Sequence, residues 1–111
     1  MTRIKNLTPH PVVIFLEDGS TITIHPEGTV PRVRETARQV GFVEVKGKHV
    51  PLYEKKMEGT EGLPLAEPKT LYIVPLAIAM EVRSPDLVVP HDFVRDDQGR
   101  IIGCRALARI A

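Results

Sequence analysis

Short runs of β-branched and aromatic residues, broken by turn residues, dominate the first half of the chain. Val12-Val13-Ile14-Phe15-Leu16 is followed by Glu17-Asp18-Gly19-Ser20 and then by Thr21-Ile22-Thr23-Ile24. Asp-Gly between two such runs predicts a hairpin. Ile22 and Ile24 alternate with Thr21 and Thr23, which gives the second strand an inner and an outer face. Pro26-Glu27-Gly28 makes the next turn, and Val30-Pro31-Arg32-Val33-Arg34 alternates again. Pro31 lacks a ladder donor, so this strand is expected to begin at an edge. Residues 41–45 and 49–53, flanking Lys46-Gly47-Lys48, predict a second hairpin. The Gly-, Pro- and Glu-rich stretch 58–69 reads as a surface loop.

Thr70-Leu71-Tyr72-Ile73-Val74 is apolar at every second position and between, as expected of a central strand. Pro75 then opens a run rich in Ala, Leu and Met, which predicts one short helix over residues 75–83, ended by Ser84-Pro85. Residues 92–95 and 100–110 around Asp96-Asp97-Gln98-Gly99 predict a third hairpin. The expected fold class is mainly β, a small barrel or sandwich of about seven or eight strands with one short α-helix near residues 75–83. Residues 1–111 are expected to form a single domain. A long final strand lying at a sheet edge would need a partner, so homo-oligomerisation is expected.

Composition narrows the function classes. A formal net charge of +1, from 15 basic and 14 acidic residues, argues against a general nucleic-acid binder, which needs clustered excess cations. The single cysteine, Cys104, excludes an intrachain disulfide and reads as a buried structural thiol. The opening residues Met1–Asn6 lack the apolar stretch of a signal peptide, and no apolar run approaches the ~20 residues of a membrane span, so no membrane partner is expected and the cytoplasm is the expected compartment. Few amide side chains and ten prolines fit a heat-adapted protein. No cofactor signature is present. The four histidines, His10, His25, His49 and His91, show no metal-ligand spacing, so no metal site is expected.

Two polar, proline-braced segments stand out. In Thr8-Pro9-His10-Pro11 the imidazole sits on a stiffened turn with little freedom left to lose on binding. In Arg83-Ser84-Pro85-Asp86-Leu87-Val88-Val89-Pro90-His91-Asp92 an arginine, two aspartates and a histidine lie on an expected loop. If strand pairing brings the two segments together, His10, Arg83, Asp86 and His91, with Arg95, form a ligand-binding site suited to a small anionic molecule. The plainer alternatives are a rigid strand connection and a structured helix exit. Arg32, Arg34, Arg105 and Arg109 would line one sheet face if their strands are neighbours.

The chain resembles a group of small bacterial and bacteriophage proteins. The matching stretches are Asn6-Leu7-Thr8-Pro9-His10-Pro11, Leu71-Tyr72-Ile73-Val74, Arg83-Ser84-Pro85-Asp86-Leu87 with Pro90, and residues 94–104, which end in Arg100-Ile101-Ile102-Gly103-Cys104. The resemblance implies a stand-alone domain and carries no activity, cofactor or catalytic residue across. The leading expectation is a non-catalytic binding or assembly module that forms a homo-oligomer. A small enzyme using His10 or His91 as general base on a phosphorylated or sugar-like metabolite is the second, with His10 near Asp86 or Asp92. A regulator of a host macromolecule is the third.

Overall fold

A computed structural model describes residues 2–111. The chain runs β1 (Arg3–Asn6), β2 (Val12–Phe15), β3 (Thr21–Ile24), β4 (Arg32–Val45), β5 (Lys48–Glu61), β6 (Thr70–Ile73), α1 (Leu76–Val82), β7 (Leu87–Arg95) and β8 (Ile101–Ala108). It is mainly β, with eight strands in two sheets and one short helix, as the residue pattern predicts.

Six strands form the body, in the order β1-β6-β7-β8-β2-β3. The β2–β3 and β7–β8 pairs are antiparallel hairpins. Each turn is fixed by an aspartate accepting from backbone two residues on. Asp18 Oδ1 accepts from Ser20 N at 2.9 Å, and Asp96 Oδ1 from Gln98 N at 2.9 Å. Such Asx turns let the side chain stand in for a backbone acceptor. The other pairings are parallel: β1 with β6, β6 with β7, and β2 with β8. The crossover from β6 to β7 passes through α1, the element a parallel pair requires. At the far edges Asn6 bridges Pro26, and Glu27 N donates to Asn6 O at 2.8 Å. The sheet therefore curls until its two outer strands touch, giving a partly closed barrel.

Alternation along β6 and β7 fills two apolar clusters. Ile73 and Val88 point to one side with Val12, Ile14 and Cys104. Tyr72, Val74 and Leu87 point to the other with Leu7 and with Ile78 and Ala79 of α1. Each fully buried aliphatic or aromatic side chain contributes about 1.5–3 kcal/mol. The helix starts after Pro75 (φ −57°, ψ 146°) and stops at Arg83, whose left-handed backbone (φ 54°) ends the helical hydrogen bonding.

The remaining strands, β4 and β5, pair only with each other. They form an arm whose base is tied to the body by Val33, which packs on the α1-side cluster. Several sequence expectations are corrected here. Residues 32–34 and 41–45 belong to one continuous strand, and β5 runs to Glu61, so the loop expected from 58 begins only after it. Pro31 does sit just before β4 and is buried. β8 is not an edge strand: it lies between β7 and β2, so the argument for oligomers from an unpaired last strand fails. Arg32 and Arg34 are on the arm while Arg105 is on β8 and Arg109 lies just beyond it, so the four guanidiniums share no sheet face. Among the described residues no helix is long and apolar enough to cross a membrane.

Candidate functional site

The Thr8-to-Pro11 turn is held from below by Asn6, which is fully buried. Asn6 Nδ2 donates to His10 O at 2.8 Å and to Ile24 O at 2.9 Å. Its Oδ1 accepts from Thr8 N at 2.9 Å and from Thr8 Oγ1 at 2.6 Å. Both ends of the amide are thereby satisfied, as a buried polar group requires. Two prolines and one asparagine thus fix the path of the turn. His10 itself is exposed, and it is its carbonyl, not its ring, that the turn uses.

Beside this turn lies a cavity of about 400 Å³, walled by His10, Pro11 and Val13 on one side and by Phe93, Ile101 and Ile102 on the other. Pro90, Gly103 and the buried Cys104 complete it. His10 is its only ionisable group besides that thiol. A phosphate or carboxylate there would meet no guanidinium or ammonium, the groups that usually secure such anions.

The other expected site residues lie elsewhere. Asp86 accepts from Ser84 Oγ and lines a separate cleft with Arg109, Glu67 and Lys69. Arg83 donates to Met80 O and to Ala111 O, each at 3.2 Å. His91 is exposed on β7, opposite Ala106, because the strand begins at Leu87 and absorbs most of the expected loop. Arg95 Nη1 donates to Gly99 O at 2.8 Å and braces the β7–β8 turn. Asp86 precedes β7 and Arg95 ends it, a span of roughly 30 Å at ~3.3 Å per residue, so one small ligand cannot touch both. Only the Pro90 end of the second segment reaches the His10 turn. The pairing that an acid–base site would need is also missing. Asp92 lines a different cavity with Phe15 and Glu17, and its Oδ1 lies 3.5 Å from Arg105 Nη1. Asp92 also holds a left-handed backbone (φ 59°) in mid-strand, a conformation aspartate tolerates better than most residues.

A surface that sequence reasoning missed is the end of the arm. Val43 faces Val50 and Gly41 faces Leu52 across the ladder, on one side of the ribbon. Phe42 faces Pro51, with Tyr53 next along the same strand face, on the other side. Both faces are therefore apolar, and Phe42 is 61 % exposed, Tyr53 53 %, Val45 49 % and Leu52 46 %. The Phe42 ring lies 5.8 Å from the His49 ring, tilted by 44°, which stiffens the tip. The signal for this surface was present in the two expected short strands, but without the full length of the arm nothing showed that they stand clear of a core. No protein-family model, curated protein or solved structure matches the chain.

Proposed function

We propose that this protein is a non-catalytic assembly module, which builds homo-oligomers by docking its β4–β5 arm on a neighbouring copy. The observation that carries this reading is the tip: an extended two-stranded ribbon with apolar side chains on both faces and no layer of its own chain over either. These side chains are divided between two opposite faces, so covering one face from within the chain would still leave the other in water. An isolated two-stranded hairpin is only marginally stable in water, so a partner also explains why so long an arm persists. The His10 cavity, having no cationic wall, supports a small anionic ligand less well than it supports an apolar one. The cytoplasmic, heat-adapted setting suggested by composition fits a subunit stabilised by association.

Light scattering and sedimentation velocity test the reading directly. Wild-type protein should give a species heavier than the 12.3 kDa chain. Replacing Phe42 and Leu52 together by aspartate should return it to the mass of one chain with an unchanged far-ultraviolet circular dichroism spectrum of the body. A wild-type protein that stays monomeric at millimolar concentration would overturn it.

A further inference from the structure

We propose that the arm tip of one copy docks in the His10 groove of a second copy, so that subunits join head to tail. The inference rests on arm-driven assembly and names the acceptor.

Three surfaces could receive the tip: another arm, the outer side of α1, or the groove. Arm against arm covers one face of each ribbon and leaves the other wet. Val43, Val50 and Leu52 lie on one face and Phe42, Pro51 and Tyr53 on the other, and the Phe42 ring, the most exposed of them, is seated better by a concave acceptor than by a second flat ribbon. The outer side of α1 exposes Leu76 and Met80, but a helix of seven residues offers a small convex surface. The groove is concave, with a volume of about 400 Å³, and its wall residues Phe93, Ile101 and Ile102 are 48 %, 52 % and 45 % exposed in the single chain. It is also stiff. Pro11 and Pro90 line it, and Asn6 pins the turn that carries His10. A preformed pocket loses little freedom when an aromatic anchor such as Phe42 enters it.

A chain cannot fill its own groove with its own tip. The arm is about 45 Å long at ~3.3 Å per residue, its strands pair with no strand of the body, and it is tethered on the α1 side through Val33. Every copy therefore carries one unfilled groove and one uncovered tip, and a neighbour satisfies both. Charge agrees with this fit. At the tip Lys46 and Lys48 outnumber Glu44. At the turn leading to Ile101, Arg100 pairs with Asp96 while Arg95 donates to Gly99 O, which leaves Asp97 without an ion pair among the described residues and open to a lysine of the neighbour. A tip-to-groove contact joins two different surfaces, so it propagates into a ring or a fibre rather than stopping at a twofold dimer.

Complementation between two defective variants tests the acceptor. Phe42→Asp damages the tip and leaves the groove intact; Ile101→Asp, and independently Phe93→Asp, damage the groove and leave the tip intact. Each alone should raise the concentration needed for assembly by at least about 30-fold, the effect of losing one anchoring contact. An equimolar mixture of a tip variant and a groove variant should form a complex of one copy of each, because one good tip meets one good groove. Two outcomes overturn the acceptor while sparing arm-driven assembly. In one, both groove variants assemble like wild type while Phe42→Asp does not; in the other, the mixture stays monomeric. If Phe42→Asp assembles like wild type, the arm reading itself falls.

Discussion

The body and the arm are built from similar residues and treat them in opposite ways. In the body, strands of four to nine residues, the helix and the residues between them bury what they can: Ile73 is 0 % exposed and Val74, Ile78 and Cys104 are each 1 % exposed. In the arm, two strands of 14 residues contain no buried residue at all. The body has layers on both sides of β6 and β7, so an apolar residue pointing either way finds a neighbour. At the tip of the arm the same two-sided apolar pattern points into solvent. Its shaft is polar, with Arg38–Glu54 and Lys55–Glu35 pairs at 3.4 Å across the ladder. Exposed pairs of that kind contribute little, ~0–1 kcal/mol each. The lesson is that a run apolar on both faces can be buried in one place and left exposed in another, and only the third dimension separates them.

Substitutions ranked by size sharpen this contrast. Ile73→Ala should cost about 4 kcal/mol, since it deletes a fully buried side chain between β1 and β7. The denaturation midpoint of dispersed protein measures it, and a loss under 1 kcal/mol would contradict the layered core. Asn6→Ala should cost about 3 kcal/mol, because Thr8 N, His10 O and Ile24 O lose their partner at the seam that closes the barrel. Faster hydrogen exchange at Glu27 and Thr8 should accompany it. Gly103→Ala should cost about 2 kcal/mol, because a Cβ there would lie 2.6 Å from both Phe15 Cε2 and Val13 O. In contrast, Val43→Ala at the tip should stay within ~0.5 kcal/mol in dispersed protein. Equal losses at Ile73 and Val43 would erase the distinction between body and arm.

The smallest effect lies in the turns. The Arg100 amide foremost, helped by the Gln98 amide and the Arg100 guanidinium, holds the Asp96 carboxyl below the usual aspartate range. A lowered value means that the charged form favours the folded turn. Its contribution is present above the usual aspartate value and fades as pH falls through the lowered one. Amide resonances of Gln98 and Arg100 should therefore move only in distinctly acid solution, and movement at the ordinary aspartate value would contradict the turn geometry. The hydroxyl and amide of Ser20 do the same for Asp18.

Much of the body was legible because its signals are local. Asp-Gly at residues 18–19 and the Asp96-to-Gly99 turn marked their hairpins, and Pro75 with the alanine-rich run marked α1. The arm was not legible, because Glu35-Thr36-Ala37-Arg38-Gln39 and Glu54-Lys55-Lys56 are solvated on both faces and show no apolar alternation. Strand identity there comes from pairing, to which periodicity is blind. The parallel pairings were hidden for a related reason. β1 meets β6 and β2 meets β8 across most of the chain, and nothing in Arg3–Asn6 names its partner. The candidate site suffered from this: His10 was found, but its neighbours Phe93, Ile101 and Ile102 became visible only once β8 was seen beside β2.

The placement of β8 has a consequence in time as well as in space. The arm is one contiguous hairpin whose contacts are local, and such elements form fast. The groove needs Ile101, Ile102 and Gly103, which come from the strand that is last in chain order yet sits inside the sheet. During synthesis all the residues of the arm are therefore present before the strand that completes the groove. If the arm docks as proposed, two unfinished copies would offer each other tips and no acceptor.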